Sequence, residues 1–151
     1  MNMKTNVTDY GARTNKSMQT WLEILKAYTK ISAKESVYIQ ENSLTMNQFK
    51  VLEVLYHRGS LSVGAITKLT LSTPGNITVV VKNLKRDKLV SALKDPNDKR
   101  TKLLALTEKG RSAVSSIFPR HAQNLKSYFE VLNDAELDTM FSLLRKLQKA
   151  Q

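Results

Sequence analysis

Leu89-Val90-Ser91-Ala92-Leu93-Lys94-Asp95-Pro96-Asn97-Asp98-Lys99-Arg100-Thr101-Lys102-Leu103-Leu104-Ala105-Leu106, with the Thr107-Glu108-Lys109-Gly110 that follows, decides how this chain folds. Leu89–Leu93 and Thr101–Leu106 are strand-like runs, and Asp95-Pro96-Asn97-Asp98 between them is dense in turn formers. The pair predicts a β-hairpin with an extended tip. Thr107 then opens a helix with Val114, Ile117 and Phe118 apolar, and Pro119 is expected to kink or break it. Leu125, Tyr128, Phe129 and Leu132 continue the stripe beyond.

Upstream, Leu71-Ser72-Thr73-Pro74-Gly75-Asn76 reads as a helix start. Either Thr73 caps it with Pro74 in the first helical position, or Ser72 caps it with Pro74 in the second. Ile77, Val80, Val81 and Leu84 have core spacing. The β-branched run Val79-Val80-Val81 also suits a strand, but the cap, the spacing and the charged tail Lys85-Arg86-Asp87-Lys88 favour helix. Ser62 caps a short helix through Ala65, Ile66 and Leu69. Thr45-Met46-Asn47-Gln48 is a capping box for a helix with Phe49, Leu52, Leu55 and Tyr56 apolar, closed at Gly59. Lys16–Gln40 has a helical period at Trp21, Ile24, Leu25, Tyr28 and Ile31, behind a loose arm over 1–15. Asn133-Asp134-Ala135-Glu136 is a second capping box. It leads Leu137, Met140, Phe141, Leu144 and Leu147 in an amphipathic stripe to the C-terminus.

Four helices, a hairpin and two more helices make a mainly α chain with a small β wing. The expected architecture is one domain over 16–151: a winged helix-turn-helix about 45–111, with dimerisation helices about 16–41 and 112–151. The 151 residues include 24 Lys+Arg against 13 Asp+Glu, a formal net charge of +11. Residues 58–111 alone carry net +8, so the excess sits on the helix-turn-helix and the hairpin. No cysteine is present, which closes disulfide, thiolate-metal and thiol-redox chemistry within this chain. With His57 and His121 the only histidines, neither a metal site nor a cofactor is expected. No apolar run approaches the ~20 residues of a membrane span, and residues 1–18 lack a secretory apolar segment, so a cytoplasmic protein is expected. Glycine-rich phosphate loops and nucleophile motifs are missing too, which argues against an enzyme.

Asp95-Pro96-Asn97-Asp98-Lys99-Arg100, followed by Leu106-Thr107-Glu108-Lys109-Gly110, resembles the wing signature of MarR-type regulators, D-x-x-D-R-R and then L-T-x-x-G. Leu71–Val90 is similar to that family's recognition helix, and the likeness covers roughly 16–147. Phe118-Pro119-Arg120-His121 and Leu55-Tyr56-His57-Arg58-Gly59 are similar to the branch that answers organic hydroperoxides or quinone-like compounds. Lys88 stands where the family usually has a helix-ending Gly, Val79 where many members have Arg, and Lys99 in place of the first wing Arg.

Major-groove reading needs small residues and hydrogen-bonding side chains at a helix start, which Ser72, Thr73, Gly75 and Asn76 supply, unless the two hydroxyls only cap the helix. Asn76 suits an adenine edge, Val79 a thymine methyl, and Lys82 and Asn83 the backbone. The resemblance places Arg100 at the wing tip for the minor groove, with Lys99 beside it and Asp98 holding its guanidinium. Lys94 and Lys102 are expected near phosphates. The resemblance also implies a homodimer on a pseudo-palindromic operator, and repression relieved by a small aromatic, phenolic or quinone-like effector. Trp21, Tyr28, Tyr38, Met46, Phe49 and Tyr56 are the candidate pocket, with core packing as their ordinary alternative. The alternative function is an architectural, nonspecific DNA-binding protein without an effector.

Overall fold

The computed structural model describes residues 8–150, so residues 1–7 of the expected arm lie outside it. Helix α1 spans Ala12–Glu41 and thus begins earlier than Lys16. Hydrogen bonds around Asp9 explain the early start. Its carboxylate accepts from the Gly11 N–H (2.8 Å) and the Asn15 amide (2.7 Å), while Gly11 takes φ +91°. An aspartate turn of this kind pre-forms the helix entry, which apolar periodicity cannot reveal.

The other elements are α2 Met46–Arg58, β1 Leu61–Ser62, α3 Val63–Leu69, α4 Pro74–Arg86, β2 Val90–Lys94, β3 Lys102–Leu106, α5 Glu108–Phe129 and α6 Asp134–Lys149. The order is that of a winged helix-turn-helix. The strands form an antiparallel sheet β1-β3-β2; β1, two residues long, is too short for its pattern to show in sequence. Packing divides the chain into two compact units, Met1–Lys34 and Glu35–Gln151. In the first, Trp21, Leu22, Leu25 and Tyr28 of α1 are exposed. In the second, Phe49, Leu52, Leu55, Ile66, Ile77, Leu84, Leu104, Val114 and Ile117 form a closed core. Helix α6 buries no residue.

Hydroxyl or amide caps start the helices as the sequence implies. Thr45 and Asn133 each complete a capping box, and Ser62, Thr73 and Thr107 each accept a first-turn N–H. Of the two outcomes expected at Pro119, a break does not occur, because α5 runs through it continuously. Proline removes the donor to the Ser115 carbonyl, and both residues are exposed, so water meets that carbonyl. On the opposite face Ile117 and His121 are buried, and the Tyr38 hydroxyl donates to the Ile117 carbonyl at 3.1 Å.

Three helix exits use left-handed residues that are not glycine: Ser43 (φ 63°), Leu71 (φ 55°) and Lys88 (φ 59°). Each closes a paired terminus; at α4, Lys88 N–H donates to Lys85 O (3.0 Å) and Leu89 N–H to Leu84 O (2.9 Å). A side chain in this region costs about 1–2 kcal/mol, so the missing glycine at Lys88 is a strained exit.

That exit docks on the first turn of α5. Thr107 Oγ1 donates to the Lys88 carbonyl (2.6 Å), Thr107 N–H to Leu89 O (3.1 Å) and Lys109 Nζ to Asp87 O (2.9 Å). Gly110 lies so close that a Cβ there would overlap the Leu89 carbonyl oxygen. This contact gives the glycine of the L-T-x-x-G block its physical reason. Gly110→Ala is expected to destabilise the fold by about 1–3 kcal/mol, as overpacking does, read as a lower urea midpoint. An unchanged midpoint would contradict the close approach.

Candidate nucleic-acid interface

The geometry at the start of α4 follows from its cap. Thr73 is extended (φ −84°, ψ 151°) and its hydroxyl accepts from Asn76 N–H at 3.3 Å, with Pro74 in the first turn. Of the two start readings, Thr73 as cap is the one found. Ser72 is half-buried instead, and its hydroxyl accepts from Thr70 Oγ1 at 3.0 Å. Both hydroxyls therefore serve the turn, though Thr73 keeps its own proton to donate. Ile77, Val80, Val81 and Leu84 bury one face of α4. Gly75, Asn76, Thr78, Val79 and Lys82 are exposed on the remainder, with Asn83 half-buried. A Cβ at Gly75 would meet nothing within 4 Å, so glycine there answers no need inside the chain.

The wing tip is organised by two carboxylates. Asp95 accepts from Asn97 N–H (2.8 Å), and Asp98 accepts from Arg100 N–H (2.9 Å) and the Thr101 hydroxyl (2.9 Å). These bonds, the Arg100 N–H first, hold the Asp98 carboxyl below the usual carboxylate range. The expected grip on the Arg100 guanidinium is replaced by a grip on its backbone, because Asp98 spends both oxygens closing the turn. Lys99 and Arg100 stand exposed at the tip.

The six candidate pocket residues divide between the units. Trp21 and Tyr28 are exposed on α1 in the first. In the second, Phe49 is buried in the core, and Tyr38, Met46 and Tyr56 pack against it half-buried. The Arg111 guanidinium lies 5.7 Å from the Tyr56 ring centre. None of the six lines the open cleft of about 360 Å³ beside α4, formed by Val63, Thr78, Val81, Lys82 and Lys85.

Sequence reasoning missed a buried polar cluster. Glu35, 2% exposed, accepts from the Tyr128 hydroxyl at 2.7 Å and pairs with His121 Nδ1 at 2.6 Å. The Phe49 ring meets His121 edge-on at 5.0 Å, and Phe118 lies between His121 (6.0 Å) and His57 (4.6 Å). One trace was available: Ile31, Glu35 and Ile39 lie at i, i+4, i+8, which sets a carboxylate on an apolar stripe. The hydrogen bond to Glu35, then burial, then the negative charge of Glu35 push the Tyr128 hydroxyl above its usual range. Its contribution to stability is thus complete below about pH 10 and lost as pH climbs through the raised value. No group of acidic or histidine side chains fit to hold a metal occurs among the described residues.

The model of the MarR family matches residues 44–102, from the cap of α2 into β3. The transcriptional regulator MhqR of Bacillus subtilis is 31% identical over 134 residues, 89% of this chain and 92% of its own. The transcriptional repressor NicR of Pseudomonas putida is 30% identical over 122 residues, 81% and 77% of the two chains. Bordetella bronchiseptica BpsR, solved to explain regulation of its DNA binding by 6-hydroxynicotinic acid, is 33% identical. It superposes with a TM-score of 0.76, over 86% of this chain and 98% of its own.

Proposed function

The chain belongs to the MarR family of DNA-binding transcriptional regulators, and on that footing we propose that it is a sequence-specific repressor acting as a homodimer. Its relatives and its fold are those of regulators, not of enzymes. No helix among the described residues is long and apolar enough to cross a membrane.

One observation carries the proposal: Lys82, Lys85 and Arg86 on α4 and Lys94, Lys99, Arg100 and Lys102 on the hairpin, seven of the twelve Lys/Arg of residues 58–111, all stand exposed. In this reading α4 enters the major groove. Asn76 bonds an adenine edge, Val79 packs on a thymine methyl, and Ser72, Thr73 and Gly75 let the helix start approach. Lys82, Asn83 and Lys99 meet the backbone, and Arg100 enters the minor groove from a turn that Asp98 holds rigid. Exposed Trp21, Leu22, Leu25 and Tyr28 on α1, and Leu137, Met140, Phe141, Leu143 and Leu147 on α6, are more apolar surface than a monomer keeps in water. Two-fold pairing through them would set half-sites about one turn, ~10 bp, apart on a pseudo-palindromic operator.

Release by a small aromatic ligand is the proposed control. BpsR, whose DNA binding answers to an aromatic acid, supports this class, and the absence of cysteine leaves no thiol switch in this chain. Within the second unit, Tyr38, Met46 and Tyr56, half-buried against the core around Phe49, are the proposed contacts. Arg100→Ala is expected to weaken operator binding by about 1–3 kcal/mol in a fluorescence-anisotropy titration, with folding unchanged because the side chain is exposed. Equal affinity would remove Arg100 from the contact.

A further inference from the structure

Lys94 and Lys102 are register partners in the last pair of the wing, where the strands open into the tip. Side chains directly opposite in an antiparallel pair share a face, with Cβ atoms about 4.5–5.5 Å apart, and like charges there repel. Both lysines are exposed, and neither has an ion-pair or hydrogen-bond partner for its ammonium among the described residues. The nearby acids are spent elsewhere: Asp95 on the Asn97 N–H, Asp98 on the Arg100 N–H and Thr101. Alternation puts this pair on the same face as Val90 and Leu104, which are buried, while Leu93 and Leu103 occupy the other face. The two lysines thus share the sheet face of Val90 and Leu104, at the end of the hairpin that leads to Arg100, and β2 itself packs against α4.

We propose that Lys94 and Lys102 form a two-lysine clamp on one DNA backbone phosphate, that of the strand separating the groove read by α4 from the groove entered by Arg100. The proposal rests on the DNA-binding reading above and adds to it a shared ligand. A phosphodiester offers two non-bridging oxygens and one negative charge, which matches two facing ammonium groups and relieves their repulsion. In the free protein the pair is a stored repulsion, so neutralising it does not weaken the fold.

Counting released counterions tests the clamp. Binding of a selected operator duplex is titrated across a salt series for the wild type, Lys94→Gln, Lys102→Gln and the double variant. Each phosphate neutralised adds about 0.9 to the log–log slope. A shared phosphate predicts that each single variant keeps most of the slope and that the double loses about 1.8 in a two-fold complex. The double should also melt no lower than the wild type. Losses near 1.8 for each single and about 3.6 for the double mean separate phosphates and overturn the clamp. An unchanged slope in the double, or a lower melting temperature, overturns it as well. A wild type that binds no duplex DNA would instead overturn the underlying reading.

Discussion

Duplex binding is expected to weaken about 10³–10⁵-fold as monovalent salt rises from about 50 to about 200 mM. The expectation follows from which cations are available, not from the formal net charge of +11. Arg86 is held by Asp87 at 2.9 Å, Lys109 donates to the Asp87 carbonyl, and Arg111 lies over Tyr56. Those three are occupied within the chain. Lys82, Lys94, Lys99, Arg100 and Lys102 stand exposed on α4 and the wing. Taken over two protomers, with Lys94 and Lys102 sharing one phosphate, they supply roughly 6–8 phosphate contacts, a number at which counterion release gives a loss of that size. A flat salt response in the same titration would contradict the electrostatic account.

Glu35→Ala is expected to cost about 2–6 kcal/mol of folding stability, since it leaves two buried polar groups unpaired at about 1–3 kcal/mol each. Alanine leaves His121 Nδ1 and the Tyr128 hydroxyl facing a cavity where two oxygens stood at 2.6 and 2.7 Å. Since a domain has about 5–15 kcal/mol in total, the variant should unfold at a much lower urea concentration. Glu35→Gln keeps one acceptor and should lose less. If Glu35→Ala shifts the midpoint by under about 1 kcal/mol, within the range of ordinary substitutions, the cluster is not a structural anchor.

Local chemistry made most of the fold legible. Thr45, Ser62, Thr73, Thr107 and Asn133 are caps because an oxygen beside the first turn satisfies a free N–H, and that depends on neighbours in sequence. The same locality shows α4 as a helix despite Val79-Val80-Val81, since Ile77, Val80, Val81 and Leu84 all bury. Features that depend on distant partners stayed hidden. The buried face of α5 beside Pro119 meets Tyr38, whose hydroxyl donates to the Ile117 carbonyl from 79 residues away. The Glu35 cluster joins side chains 86 and 93 residues apart. Left-handed exits at Ser43 and Leu71 escape notice because glycine, their usual marker, is absent, and the one at Lys88 shows only through the glycine that the family usually has there. At the interface, the residue types were readable, but the turn that commits Asp98 to the Arg100 backbone was not.

The measurement that bears most directly on the central claim is a specificity ratio. Duplexes selected by the protein from a random pool would be compared, at one salt concentration, with shuffled duplexes of equal length and composition. A sequence-specific regulator should prefer its selected site by at least ~10³. A ratio near one would contradict that claim and leave a nonspecific, architectural DNA-binding protein as the better description.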